Sequence, residues 1–341
     1  MATVVTFGEI MLRLKPPAFD RFVQTQSLEA TFGGGEANVA VSAANYGHTG
    51  RFVSALPANP IGDWAVSNLR RFGVDTSAIR RSGDRVGIYF LEAGASQRAS
   101  NVVYDRAHSA ISEIKPGDID WAAALEGADW FHMTGITPAL SASAAEASLE
   151  ALKAAKAAGC TVSMDLNYRK KLWTPAEAKA VMTGLMDYVD VAIGNEEDAE
   201  KVFGITAGES DVTAGALDHD RYIDVAGQLR ERFPSLSHVA ITLRESHSAS
   251  LNGWSAMLVD ADGVSFSKRY ELTIVDRVGG GDSFAGGLIH GLISGKDRQG
   301  AIEFATAASC LKHSILGDYN LVSADEVERL AGGDASGRVQ R

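Results

Sequence analysis

Short apolar runs alternate along the chain with longer segments in which apolar residues recur every three or four positions. Val4 to Met11 is apolar apart from Glu9 and predicts a buried first strand, while Glu36 to Tyr46 predicts a helix of small residues stopped by Gly47. Further strands are expected at Phe52 to Ala55, Asp129 to Met133, Cys160 to Leu166, Val189 to Ile193 and Val239 to Leu243. Between and after them come an alanine-rich helix from Ala142 to Ala158 ended by Gly159, a polar helix from about Asp220 to Phe233, and helices after Gly281 and Arg298. Strands and helices taking turns in this way predict an α/β fold, a mainly parallel sheet covered by helices on both faces.

Two stretches break this rhythm, Pro17 to Thr31 and Arg85 to Arg106. The second reads as a hairpin: Val86 to Leu91 and Asn101 to Tyr104 are β-rich, and Gly94-Ala95-Ser96-Gln97 between them carries turn residues. Extra strands inserted in an α/β chain commonly form a small β-sheet lid over the active-site end, here segments about 12–32 and 85–108. Tyr104 and Arg106, two apart, would share one face of it. An aromatic ring and a guanidinium fork aimed together at a cleft suit a hydroxylated acid. Two surface residues on an edge strand are the plain alternative.

The stretch richest in chemistry is Asp276-Arg277-Val278-Gly279-Gly280-Gly281-Asp282-Ser283-Phe284-Ala285-Gly286-Gly287. Ala285, Leu288, Ile289 and Leu292 fall at i, i+3, i+4 and i+7, so an amphipathic helix begins near Asp282 with three glycines at its N-terminus. The first turn of a helix leaves backbone amides unpaired and carries positive partial charge. Glycines there let an anion approach the amides closely. Gly279, Gly280 and Gly281 are therefore the candidate anion hole, with Asp282 the candidate base for a hydroxyl attacking a phosphoryl group. An Asp that merely caps a glycine-rich turn is the structural alternative.

Composition narrows the setting. A chain of 341 residues with 45% hydrophobic and 22% charged residues has enough apolar material for a large core, and no apolar run approaches the ~18 residues of a membrane span. Residues 1–331 are expected to form a single domain and 332–341 a frayed tail. Met1-Ala2-Thr3-Val4-Val5 lacks a basic segment and cleavage site, so a cytoplasmic protein is expected. Cys160 and Cys310 are too few for a disulfide framework and read as reduced thiols. A net charge of −11 argues against nucleic acid. The histidines, including His108 and His132, and all the tryptophans, Trp254 among them, read as packing.

Two glycine motifs in order, with the lid between them, resemble the ribokinase-type (PfkB) sugar kinases along nearly the whole chain. Gly33-Gly34-Gly35-Glu36-Ala37-Asn38 is similar to that family's substrate segment, which implies Gly34, Gly35 and Asn38 at the sugar. The Asp276 to Gly287 stretch is similar to its signature. The resemblance implies a ribokinase-like three-layer α/β/α domain, ATP and Mg²⁺ as cofactors, and a monovalent cation such as K⁺ near Asp276 and Gly317. Lid strands with exposed edges predict a homo-oligomer, a dimer through the lid or higher. Tyr104-Asp105-Arg106-Ala107-His108-Ser109-Ala110, Asp165 to Trp173, Arg277, and Lys312 to Asn320 are similar to the branch acting on 2-dehydro-3-deoxy sugar acids. That likeness implies Tyr89, Tyr104, Arg106 and Arg169 as substrate contacts, with Arg169 also within reach of nucleotide phosphate beside Asn167. Asp165 itself reads as mostly structural.

Departures from the family pattern mark the nucleotide side. Its Asn-x-x-Glu motif falls on Asn195-Glu196-Glu197-Asp198, with Asp where Glu is usual, so magnesium falls to Glu197 or Asp198, in part through water, unless the acids simply begin a helix. The glycine loop after Thr242-Leu243 is replaced by Arg244-Glu245-Ser246, with no glycine until Gly253. Thr242, Arg244, Gly253 and, at the adenine position, Thr306 are the implied nucleotide contacts. A serine-hydrolase elbow at Ser283 lacks the rest of a triad, and Gly295-Lys296 lacks the flanking residues of a P-loop. A fructokinase-like neutral-sugar kinase and a non-catalytic sugar-binding protein are the alternatives.

Overall fold

The computed structural model of the chain describes residues 1–206, 219–334 and 337. The first third carries β1 (Thr3–Phe7), β2 (Met11–Lys15), β3 (Glu29–Gly33), α1 (Gly35–Asn45), β4 (Thr49–Leu56), α2 (Pro60–Arg71), β5 (Ile79–Arg81), β6 (Gly87–Glu92) and β7 (Asn101–Asp105). Then come α3 (Trp121–Ala124), β8 (Trp130–Thr134), α4 (Ala142–Ala157), β9 (Thr161–Asp165), α5 (Pro175–Met186), β10 (Val191–Gly194), α6 (Glu196–Phe203) and α7 (His219–Arg232). The last third holds β11 (His238–Ser246), β12 (Leu251–Asp260), β13 (Gly263–Phe266), β14 (Tyr270–Thr273), α8 (Gly280–Ile293), α9 (Arg298–Lys312) and α10 (Ala324–Ala331). The tail expected to fray from 332 lies, beyond 334 and apart from 337, outside the described residues.

The main sheet runs β5-β4-β1-β8-β9-β10-β11-β12-β13, parallel from β5 to β11 and antiparallel beyond, with β14 also on β12. Successive strand residues point to opposite faces. Val5 joins the core under α4, α5 and α7, while its neighbour Val4 joins the core under α1, α8 and α9. This period of two on a sheet buried on both sides is why the strands read as continuous apolar runs. The expected α/β/α layering is present.

The lid is a separate four-stranded sheet ordered β3-β2-β6-β7, in which β2 and β6 are parallel and the outer pairs antiparallel. The apolar run Val4 to Met11, expected as one strand, is two strands in two different sheets. Its break lies at Gly8, where a Cβ would come within 2.1 Å of the Glu36 carboxyl group, and at Glu9, whose carboxylate is bound by Arg106 and by the Ser109 hydroxyl (2.9 Å). Arg13 of β2 then pins the lid to the main body: its buried guanidinium donates to Asp318 at 2.7 Å and Asp276 at 2.5 Å. Among the described residues no helix is long and apolar enough to cross a membrane.

Candidate active site

The C-terminal ends of β8 to β11 and the N-termini of α1 and α8 open into a cavity of about 560 Å³, roofed by β6 and β7 of the lid. This is the crevice in which open α/β sheets bind ligands, and the size suits small molecules. Helix α8 begins at Gly280, two residues before the expected start, because Gly279 caps it in the left-handed region at φ 82°. A Cβ on Gly279 would lie 2.0 Å from the Asp318 carbonyl oxygen, so this turn demands glycine. Among the described residues no acceptor takes the amides of Gly279, Gly281 or Asp282, whereas Gly280 N–H donates weakly to Arg277 O at 3.4 Å. These amides line the cavity, where such unpaired N–H groups can bind an anion.

Asp282 follows directly, half-buried at the cavity wall, with Asn38 Nδ2 donating to its Oδ2 at 2.6 Å. Asn38 is itself oriented by the Gly34 amide, which donates to its Oδ1 at 3.2 Å. Burial lifts the Asp282 pKa to about 6, against the Asn38 hydrogen bond, with the Asp318 charge lifting it further. A carboxylate held near 6 is ionised at neutral pH yet basic enough to take a proton. Glu36, in the same glycine segment, is structural: its Oε1 accepts from the amide and hydroxyl of Thr134 and the hydroxyl of Thr137 at 2.8–2.9 Å, locking α1 to β8.

Across the cavity stand Asp165, Asn167, Arg169, Asn195, Glu197 and Asp198. Asp165, read from sequence as mostly structural, lines the cavity, and burial followed by repulsion from Asp198 and Asp282 drives its pKa well above the carboxylate range. Asn167 holds a left-handed backbone (φ 41°), strain that places its side chain beside Asp165 at 3.4 Å. Asn195 and Asp198 form a capping box on α6, and Asp198 also accepts from the Tyr168 amide at 3.0 Å. Among the described residues Arg169 donates only to its neighbour's carbonyl, Tyr168 O at 3.3 Å, and is exposed toward the cavity. Among the described residues no group of three or more His, Cys, Asp or Glu is arranged to hold a metal ion. The buried carboxylates of Asp165 and Asp198, which repel each other, fit a hydrated Mg²⁺, whose charge would relieve that repulsion.

On the lid side Tyr89, Tyr104 and Arg106 all line the cavity with Gly34 and Gly35. Tyr89 spends its hydroxyl on Asp318 at 2.6 Å and offers its ring. Arg106 is already paired with Glu9 and stacks over Tyr104 at 5.3 Å, but among the described residues its buried Nε has no partner. Lys171 approaches the same ring at 5.8 Å and donates to Val102 O at 2.8 Å. Thr242 and Arg244 reach the cavity from β11. Gly253 and Thr306 do not: Gly253 faces Glu245 and Arg269, and the buried Thr306 hydroxyl bonds Ile302 O at 2.8 Å within α9. Arg277, Ser246, Tyr222 and Trp254 line the cavity beside Arg244. The sequence reads Trp254 as packing, yet it lines the cavity and, among the described residues, its buried indole N–H has no partner, a signal no sequence period carries. His132 is core, with burial lowering its pKa to about 3.

The pattern of the pfkB family carbohydrate kinases matches residues 1–324. The chain belongs to the PfkB family of carbohydrate kinases. This PfkB chain is 35% identical over 335 residues to the 2-dehydro-3-deoxygalactonokinase of Haloferax volcanii, across 98% of both. A solved structure of the 2-dehydro-3-deoxygluconokinase of Thermotoga maritima, 53% identical, superposes with a TM-score of 0.92 over 97% of this PfkB chain and 98% of that one. A PfkB family carbohydrate kinase of Listeria grayi, 36% identical, gives 0.89 over 97% and 99%. A kinase of this family is a phosphotransferase with an alcohol group as acceptor, and the ribokinase-like fold matches the expectation from sequence.

Proposed function

We propose that this kinase phosphorylates the terminal hydroxyl of 2-dehydro-3-deoxy-D-gluconate with ATP, giving 2-dehydro-3-deoxy-6-phosphogluconate and ADP. One observation carries the reading: Asn38 and the glycine-led helix α8 converge on a half-buried Asp282 beneath a lid that presents Tyr104 and Arg106. The 53% identity to a 2-dehydro-3-deoxygluconokinase supports the substrate class. The kinase domain spans 1–331 with the lid segments inserted, and works in the cytoplasm as a homo-oligomer paired through lid edges.

In this reading the terminal hydroxyl sits between Asn38 and Asp282. The Asp282 carboxylate takes its proton as the oxygen attacks the γ-phosphorus, the new O–P bond forms in line, and the bond to ADP breaks. The amides of Gly279 and Gly281 hold charge on the transferring oxygens. Arg106 Nε and Tyr104 meet the acid end, while Arg169, Thr242, Arg244 and Arg277 receive the nucleotide. Magnesium, when bound, would neutralise phosphate charge, held by Asp198 and Glu197 through water with Asp165 beside them. Asn195 serves this wall through its cap on Asp198.

The Haloferax relative favours a second reading within the same class, the galactonate epimer. A coupled ADP-release assay with MgATP against both keto-deoxy acids, fructose, ribose and gluconate distinguishes them. A keto-deoxy acid is expected to exceed fructose in kcat/KM by at least about a hundredfold, the scale of a buried charged contact. A neutral sugar in first place would overturn the acid assignment, and no turnover with any would favour a binding protein.

A further inference from the structure

Behind the anion hole stands Lys312, the last residue of α9, fully buried. Its Nζ donates to two backbone carbonyls, Ile315 O at 3.1 Å and Asp276 O at 3.4 Å. A Cβ on Gly279 would lie 3.3 Å from Lys312 Cε, so the end of this side chain packs against the back of the first anion-hole glycine. The neighbouring carboxylates of Asp276 and Asp318 are already taken by Arg13 at 2.5 and 2.7 Å. Asp276 Oδ1 accepts further from the Val278 amide, and Oδ2 from the Gly317 amide, each at 3.1 Å. Burying an ammonium is costly unless hydrogen bonds and nearby opposite charge offset the lost hydration. The charges it faces are the carboxylates of Asp276 and Asp318 first and Asp282 after them, and the end of its chain packs on the backbone of Gly279.

Backbone carbonyls around Asp276 are also the ligands that a monovalent cation would need. Here two of them are bound by Lys312, and Arg13, paired with the Asp276 carboxylate, adds a second positive charge, so a free K⁺ does not fit this place. We propose that Lys312 is a tethered ammonium standing where a monovalent cation would otherwise sit, fixing the Gly279–Gly281 turn and its positive field without added K⁺. Lys312 acts through the glycine backbone, making it a positioning residue. The inference rests on the kinase reading for its rate consequences, and on the carbonyl geometry alone for its ion consequences.

Two measurements test it, one of which needs no sugar. In the ADP-release assay, wild type should differ by less than about twofold between KCl and choline chloride at equal ionic strength. Lys312→Met, neutral and of similar length, should lose about tenfold or more in kcat, below the hundredfold typical of a direct oxyanion donor, and gain nothing from KCl. Lys312→Ala, which opens the carbonyls, should lose as much and regain most of it in KCl or NH₄Cl. Thermal unfolding supplies the second arm: only Lys312→Ala should melt higher in KCl than in choline chloride. Variants that are less stable but keep wild-type kcat would overturn the proposal, as would a wild type that KCl activates tenfold or stabilises specifically. If no substrate turns over, the melting arm still decides the ion assignment while the kinase reading falls separately.

Discussion

Asp282 is held where its own charge is disfavoured, so removing that charge should stabilise the protein while abolishing turnover. Burial raises its pKa from 3.8 to about 6, a shift of about 2 units. At about 1.36 kcal/mol per unit, the folded state is about 3 kcal/mol less stable with Asp282 ionised than an unshifted group would make it. The sign follows from the raised value: below 3.8 both states are protonated and the penalty vanishes, it grows as pH rises toward 6, and it is complete above. The penalty is therefore about 3 kcal/mol at pH 8, about half that at pH 5, and about half a kcal/mol at pH 4. Asp282→Asn keeps an acceptor for Asn38 Nδ2 and carries no charge. Its Tm should exceed wild type by about 6 °C at pH 8, since 1 kcal/mol moves a domain of this scale by roughly 2 °C, and the gain should shrink steadily toward pH 4. Thermal unfolding at pH 4, 5 and 8 reads it, with ADP release confirming loss of activity. A gain independent of pH, or a destabilised variant at pH 8, would refute the account of Asp282 as a strained base.

Arg13→Met should cost about 3–5 kcal/mol in denaturant unfolding, because it strands the buried carboxylates of Asp276 and Asp318; a loss under about 1 kcal/mol would show the pair to be dispensable. Gly279→Ala should nearly abolish kcat and destabilise, given φ 82° and the Asp318 carbonyl 2.0 Å from the new Cβ, whereas Gly281→Ala, with nothing within 4 Å, should fold normally; equal melting temperatures for the two would contradict this geometry. Arg106→Ala should raise KM for the acid about tenfold or more and leave a neutral sugar little changed, alongside a stability loss because Glu9 keeps only Ser109; equal KM changes on both sugars would end the carboxylate role.

What could be read without coordinates was chemistry carried by neighbours in the chain. The two glycine segments state their need for unusual backbone locally, and helix start, anion hole and base lie within four consecutive residues, Gly279 to Asp282. The period of strands and helices set the layered α/β arrangement, and the turn residues of Gly94 to Gln97 set the lid hairpin. Arg13 offered one overlooked clue: a cation within the apolar Met11-Leu12-Arg13-Leu14 must find a partner if that strand is buried.

The partners themselves were beyond reach, because they are made across the chain. Arg13 meets Asp276 and Asp318 at separations of 263 and 305 residues, and Asn38 meets Asp282 across 244. Asp165 became a cavity carboxylate only because the ends of parallel strands β9 and β10 bring it beside Asp198, and its raised pKa is a property of that shared burial. Trp254 entered the cavity wall through its antiparallel register with Arg244, while Gly253, one residue earlier, was turned to the other face. Sequence by itself determined which backbone could bind an anion and which carboxylate stood beside it. Tertiary structure alone decided how strong a base that carboxylate is, since desolvation and long-range charge exist only once distant segments have excluded water together.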